Sequence, residues 1–215
     1  MNAFFGKHEL KQKYVDRMKA HIAADRLIAG TGYDGFKGCS IGCTFEKYDH
    51  SKYRTDWDVC EKLAHLNDAI FEGLPDEKRQ AFALEFIEAI PVGADTSNVW
   101  ITCAIARHER SLVLLEKNTE PYAQECRDAI WDVIEWLKKG ASKSRSAELA
   151  ELAWSEWAWS AAEWARSAAR SAAWSARSAT CSAESADSAA VASSAYEDEA
   201  KVLINALRAL KVEDV

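Results

Sequence analysis

From residue 141 to residue 215 the chain contains no glycine and no proline. These are the two residues that most strongly interrupt helices, so this part of the chain meets no local obstacle to helix formation. Between Ala147 and Ala195, 19 of 49 residues are alanine and 11 are serine, and alanines recur at alternating spacings of four and three from Ala165 to Ala190. This period is helical, and small side chains allow helices to approach closely. We therefore predict two or more closely packed Ala/Ser-rich helices, followed by a final amphipathic helix over 195–210.

The first 140 residues also show helical periodicity, and no segment alternates as a strand would. The predicted helices cover 7–29, 57–72, 75–90, 96–115 and 121–140. Proline or a capping residue opens three of them, and glycine follows two. The fold class predicted is all-α, a multi-helix bundle. A helical domain at 1–140 is expected to pack against an Ala/Ser/Trp-rich helical region at 141–215.

Composition excludes several classes of protein. The formal net charge is −7, so the chain has no overall basic surface for nucleic acid. The sequence contains no apolar run of about 18 residues, so no membrane span is predicted, and the N-terminal residues lack the apolar core of a signal peptide. The six cysteines are therefore interpreted as reduced thiols, and we expect a cytoplasmic protein without a nucleic-acid or membrane partner. The small residues that recur at helical spacing also predict close helix contacts between copies of the chain, and hence a homo-oligomer.

A glycine-rich loop at 30–54 interrupts the helical pattern, because five of the nine glycines lie between Gly30 and Gly42. One interpretation is an anion cradle, in which Gly38 and Gly42 present backbone N–H groups, Lys37 adds charge and Thr44 caps a turn. The loop lacks the Gly-Lys-Ser/Thr ending of a phosphate-binding P-loop. Alternatively, the glycines only shape turns, the cysteines are buried, and His50 and Tyr53 bond to the backbone.

The same loop offers candidates for metal binding and for nucleophilic catalysis. Cys39, Cys43 and His50 could ligate zinc, although a structural site usually has four ligands. His65, Cys60 or Asp49 would then complete the set. The same two thiols, each with His50 or His65 and with Asp49 as the acid, also supply the parts of a catalytic Cys–His pair.

A second candidate surface lies in the Ala/Ser-rich region. At helical spacing Trp159 shares a face with Arg166 and Arg170. An aromatic ring beside arginines can hold a nucleotide base and its phosphate, although tryptophans in such a helix commonly anchor packing.

Several strings of this sequence resemble a known family. Lys37–Thr44 reads KGCSIGCT and, with His50-Ser51-x-Tyr53 and Phe71–Pro75, resembles a family of uncharacterised proteins from phages and mobile elements. The segment at 89–95 fits the same pattern, so the resemblance covers about residues 1–140. The Ala/Trp/Arg-rich tail resembles the helical tails of Imm-5-like putative immunity proteins. The resemblance implies a phage or mobile-element accessory gene and assigns no activity to any residue.

Together these observations favour a non-enzymatic phage or mobile-element accessory (anti-defence) protein of the host cytoplasm. It is expected to bind and sequester a small, nucleotide-type ligand. The predicted ligand-binding residues are Lys37, Gly38, Cys39, Gly42, Cys43, Thr44, His50, Tyr53, Trp159, Arg166 and Arg170. Two alternatives stay open, namely an immunity or inhibitor protein that binds a toxin or a host immune protein, and a Cys/His metal-binding protein or hydrolase, with zinc as the metal.

Overall fold

The structure is a computed structural model that describes residues 1–116, 122–139 and 184–212. These residues form a short 3₁₀ turn and eight helices, with no strand beyond isolated bridges that pair Gly38 with Leu27 and Tyr33. The turn is Ala3–Gly6, and the helices are α1 His8–Ala23, α2 Ser40–Phe45, α3 Lys52–Trp57, α4 Glu61–Gly73, α5 Asp76–Ala89, α6 Val99–Glu116, α7 Tyr122–Lys138 and α8 Glu184–Arg208. The predicted all-α, multi-helix fold is confirmed.

The chain divides into two compact units. One comprises Met1–Cys103 with Val191–Val215, and the other comprises Ala104–Ala190. The unit limits therefore fall inside α6 and α8 rather than at residue 140, where the sequence suggested a division. The Ala/Ser-rich helices were predicted between Ala147 and Ala195, and residues 147–183 of this stretch lie outside the described residues, as does the predicted close packing. The remainder belongs to α8.

Helix α1 ends earlier than its sequence pattern predicts. The prediction of a helix over 7–29 is wrong beyond Ala23, because Asp25 adopts a left-handed φ of 51°. The following residues pair with the glycine-rich loop, where the N–H of Ile28 donates to the carbonyl of Gly38 at 2.9 Å. The apolar side chain of Leu27 is buried by this loop contact rather than by a continuing helix.

Two further differences concern helix limits. Within the segment 30–54 predicted as a loop, Ser40–Phe45 forms α2, and Lys52–Trp57 forms α3 across the end of that segment. Each has six residues, too few to display a 3.6-residue period in the sequence. The last helix begins at Glu184 rather than at 195, and its predicted apolar face is buried at Leu203 and Leu207.

Trp57 lies at the centre of the aromatic core in the first unit. It is fully buried, and four rings surround it with centroids 4.8–5.2 Å away. These rings come from the N-terminal turn, α1, α2 and α3, and they belong to Phe4, Tyr14, Phe45 and Tyr53. Phe4 and Phe5 both adopt left-handed φ values, 55° and 51°. Each costs about 1–2 kcal/mol, and complete burial of the Phe4 ring against Trp57 offsets part of this cost.

The second unit contains an amphipathic helix, α7. Ile134 and Leu137 on one face of α7 are buried, and Arg127 donates from Nη1 to the carbonyl of Leu115 at 2.9 Å. None of the helices that the structure describes combines the length and apolar character needed to cross a membrane.

Candidate functional site

The glycine-rich loop uses its glycines to pass backbone against backbone. A Cβ atom added at Gly38 or at Gly42 would collide with the carbonyl oxygen of Gly32. The amide of Gly38 donates to the carbonyl of Arg26 at 3.1 Å, and Gly42 is buried within α2. The N–H of Gly38 is therefore engaged within the protein, and Gly42 is not exposed to a ligand.

Cys43 and Thr44 face the interior of this loop. The thiol of Cys43 contacts the carbonyl oxygens of Gly38 and Arg26 at 3.4 and 3.6 Å, and the hydroxyl of Thr44 donates to the carbonyl of Ser40 at 2.7 Å. Both side chains are buried. Their polar groups satisfy backbone carbonyls, so they stabilise the loop rather than present atoms to a ligand.

Tyr53 belongs to the aromatic core. It is 1% exposed, and its ring centroid lies 4.8 Å from that of Trp57 and 5.6 Å from that of Phe45. Burial strongly raises the pKa of its hydroxyl. The ring of Tyr53 is therefore not accessible to a ligand in solvent.

A tight turn at 34–37 carries exposed residues of the loop. The carboxylate of Asp34 accepts hydrogen bonds from the amides of Phe36 and Lys37 at 2.8 and 2.7 Å, and Gly35 adopts a φ of 96°. Phe36 is 53% exposed, and the guanidinium of Arg26 lies 3.9 Å from the centre of its ring. Among the described residues no carboxylate pairs with Arg26, and its Nε is buried without a hydrogen-bond partner. The turn thus holds an aromatic ring and an arginine together beside Lys37.

A second cluster forms where the start of α2 meets α4. Cys39, Asp68 and Glu72 each offer a sulfur or carboxylate oxygen, and these atoms lie within 4.8 Å of one another. Cys39 precedes α2 with an extended backbone, and Asp68 and Glu72 are one turn apart on α4. This is the only such trio of potential metal ligands among the residues that the structure describes.

Polar groups around this cluster hold the two carboxylates in place. Oδ2 of Asp68 accepts from the hydroxyl of Tyr48 at 2.7 Å and lies 3.2 Å from Nε2 of His50. The imidazole of His50 stacks on that of His65 with centroids 4.3 Å apart, and the amide of Gly30 donates to Glu72 at 2.7 Å. Oδ1 of Asp68 is buried and has no hydrogen-bond partner.

The thiols of the loop are protonated at neutral pH. Burial raises the pKa of Cys39 to about 12, and the nearby carboxylate of Asp68 adds to this shift. Burial also raises the pKa of Cys43 to about 11. Because the thiolate is the nucleophile, neither cysteine is activated by its surroundings. The predicted base and acid of a catalytic pair also have other partners. The imidazole of His50 contacts Asp68, and the carboxylate of Asp49 accepts hydrogen bonds from Lys47 and Ser51.

The structure brings together part of the predicted site. Cys39 and His50 both lie at Asp68, whereas the sulfur of Cys43 is turned towards Gly38. The two cysteines do not share a helix face because Cys39 precedes the helix with φ −69° and ψ 179°. The proposed metal set of Cys39, Cys43 and His50 is therefore not assembled as predicted. Trp159, Arg166 and Arg170 lie outside the described residues.

Sequence reasoning missed the carboxylates at the cluster and the arginine at the turn. Asp68 and Glu72 lie at helical spacing with His65, on the side of α4 away from Leu63 and Ile70. A polar stripe of this kind usually faces solvent, so only its packing against the loop reveals the cluster. Arg26 was assigned to the end of α1, where no contact with Phe36 could be foreseen.

No protein-family model, curated protein or solved structure matches the chain.

Proposed function

We propose that this chain is a non-enzymatic binding protein that sequesters a small, nucleotide-type ligand at the turn formed by residues 34–37. The observation that carries the proposal is the stacking of the Arg26 guanidinium on Phe36, 3.9 Å from the ring centre, at an exposed position. A base stacks on an aromatic ring, and arginine and lysine attract its phosphate. Phe36, Arg26 and Lys37 supply these groups within one short segment.

The turn is already arranged for binding. The two hydrogen bonds from the backbone amides of Phe36 and Lys37 to the carboxylate of Asp34 fix the direction in which the chain presents Phe36. Since less conformational freedom is lost when a rigid segment binds, such a turn favours affinity. Lys37 belongs to the ligand set predicted from sequence, while Arg26 and Phe36 replace the buried Gly38, Gly42 and Thr44 as the contacting residues.

The chemistry of the loop favours binding over catalysis. Both candidate nucleophiles, Cys39 and Cys43, are buried thiols with raised pKa values. Neither is paired with a histidine base, because His50 lies against Asp68. A ligand held at Phe36 would therefore meet no activated sulfur, which is consistent with sequestration.

The biological role that we propose follows from the sequence resemblance. A protein that captures a nucleotide signal would act as a phage or mobile-element accessory protein against host defence, in the cytoplasm of the host cell. The formal charge of −7 disfavours a long nucleic-acid partner. A small ligand with few charges is compatible with this acidic surface.

Binding of AMP, GMP, UMP and cyclic di-AMP, measured by isothermal titration calorimetry, tests the proposal. We expect at least one of them to bind the wild-type chain, and Phe36→Leu to weaken that binding about tenfold, since base stacking contributes about 1–3 kcal/mol. Phe5→Leu is the matched control, because Phe5 is 45% exposed elsewhere on the molecule. Absence of binding by all four nucleotides, or equal affinities of Phe36→Leu and the wild type, would contradict the proposal.

A second candidate is an immunity or inhibitor protein that binds a toxin or a host immune protein. It is favoured by large apolar side chains that are exposed on α6 and α7 of the second unit, namely Val113, Leu114 and Trp131, which are 59%, 62% and 50% exposed. The fully buried centres of protein interfaces are more apolar than the rest of the surface, and tryptophan is enriched there. Recovery of one stoichiometric partner with the wild type, lost with Trp131→Ser, would favour this function.

A further inference from the structure

The cluster at the start of α2 contains chemistry that nucleotide binding at the turn does not use. A buried thiol and two carboxylates converge there from two different segments of the chain. We propose that Cys39, Asp68 and Glu72 together bind one divalent transition-metal ion of the zinc class. This inference does not depend on the ligand proposed for Phe36.

The spacing of the three side chains suits a tetrahedral ion. Zinc bonds of about 2.3 Å to sulfur and about 2.1 Å to oxygen place neighbouring ligand atoms about 3.6 Å apart. The atoms of Cys39, Asp68 and Glu72 already lie within 4.8 Å of one another. Asp68 and Glu72 are four residues apart on α4, so they project from the same face of the helix. To bind an ion in this geometry, these atoms would have to approach one another by about 1 Å.

An unsatisfied carboxylate oxygen of Asp68 supports the proposed ion site. Oδ1 of Asp68 is buried without any hydrogen-bond partner, which costs about 1–3 kcal/mol when nothing compensates it. The other oxygen of this carboxylate is fully occupied by Tyr48 and His50. A bound divalent cation would satisfy Oδ1 and would also offset most of the negative charge that the three deprotonated groups carry.

The surroundings are those that commonly support a metal site. The hydroxyl of Tyr48 and the imidazole of His50 orient Asp68, and the amide of Gly30 orients Glu72. Groups that hydrogen-bond to ligating side chains fix their direction and raise metal affinity by about 10–100-fold.

The ligand types select the class of metal. Thiolate favours zinc and similar borderline ions over magnesium and calcium, which prefer oxygen ligands alone. Three protein ligands leave a fourth position for water or for an anion, as in zinc sites that are not purely structural. Binding requires the thiol proton of Cys39 to leave to solvent as the sulfur–metal bond forms, and no oxidant or reductant is needed.

Cobalt is the most direct probe of this site, because a cobalt–thiolate bond gives a charge-transfer absorption that carboxylates do not. The full chain is freed of metal with a chelator, titrated with Co²⁺ and then with Zn²⁺. We expect one cobalt per chain, an absorption band from the thiolate, and loss of that band when zinc displaces cobalt. A wild-type chain that gives no such band and retains no zinc would overturn the proposal.

Single substitutions test which residues bind. Cys39→Ser should abolish the band, whereas Cys43→Ser and Cys126→Ser should retain it, since Cys43 contacts carbonyls and Cys126 is exposed on α7. Asp68→Asn and Glu72→Gln should each weaken zinc binding at least tenfold, with helix content checked by circular dichroism. Should Cys39→Ser fail to fold, Tyr48→Phe serves instead, because it removes only the hydroxyl that orients Asp68 and should weaken zinc binding about tenfold.

Three results would overturn the assignment. The first is a thiolate band that survives in Cys39→Ser, and the second is a band that Cys43→Ser abolishes while Cys39→Ser retains it. The third is a zinc affinity that neither Asp68→Asn nor Glu72→Gln changes. The second result would instead identify Cys43 as the thiolate ligand.

Discussion

Substitution of Gly42 by alanine tests the packing of the glycine-rich loop, because two effects of opposite sign meet at this position. Gly42 lies inside α2, where alanine is favoured over glycine by about 1 kcal/mol. A Cβ there would nevertheless collide with the carbonyl oxygen of Gly32, and overpacking costs about 1–3 kcal/mol. That carbonyl has little freedom to move, since it accepts the amide of Cys39 at 3.1 Å. At the upper end of that cost, we expect Gly42→Ala to lower the free energy of unfolding by about 2 kcal/mol.

Urea unfolding followed by circular dichroism measures this change, and thermal unfolding gives an independent value. A loss of 2 kcal/mol corresponds to a Tm lower by about 4–8 °C in a chain of this length. Gly30→Ala is the control, because nothing lies within 4 Å of its Cβ position and only the left-handed φ of 76° opposes alanine. Its cost should be about 1 kcal/mol. A Gly42→Ala variant as stable as the wild type, or more stable, would refute the close approach to Gly32.

Two further predictions concern the core of the first unit. Trp57→Ala should lower the free energy of unfolding by about 3–5 kcal/mol, whereas Trp131→Ala at a half-exposed position should change it by about 0.5 kcal/mol or less, as measured by urea unfolding. His21 is buried, and burial together with Arg26 and Arg17 lowers its pKa below the usual value. The unfolded chain therefore binds this proton more readily, so stability should fall as the pH drops through and below about 6.5. His21→Gln should lose less stability than the wild type between pH 7.5 and pH 5.5, and equal losses would show that His21 does not contribute.

The long helices of this protein are predictable from its sequence because each buries a repeating apolar face. Pro75 immediately before α5 and the spacing of Phe82 and Phe86 define that helix well, and α4 follows from Leu63 and Ile70. The short helices α2 and α3 are not predictable in this way, since six residues complete fewer than two turns.

The candidate sites depend on contacts between segments that are distant in the chain. Cys39 and His50 were identified from the loop itself, but Asp68 joins them only because α4 packs against α2. Arg26 reaches Phe36 because α1 ends at Ala23 and the chain turns back at Asp25. Neither event is predictable from the sequence, because only a few per cent of non-glycine residues adopt a left-handed φ, although aspartate does so more often than most.

The glycines illustrate why a loop motif alone could not assign the function. Gly38 and Gly42 have the composition of an anion cradle, but their missing side chains make room for the carbonyl of Gly32. The same sequence string is therefore compatible with packing or with binding, and the difference lies in the direction of the N–H groups. Here the amide of Gly38 donates to the carbonyl of Arg26, so we propose the ligand contact at the adjacent turn instead.

Chemical-shift mapping with ¹⁵N-labelled protein tests the central claim most directly, because it reports both whether a nucleotide binds and where. On titration with AMP, GMP, UMP and cyclic di-AMP, at least one should shift the amide signals of Phe36 and Lys37 in a saturable manner. The amides of Gly38 and Gly42, which are buried, should move less. No saturable shift with any of these nucleotides, or shifts confined to residues far from the turn, would contradict ligand binding at Phe36.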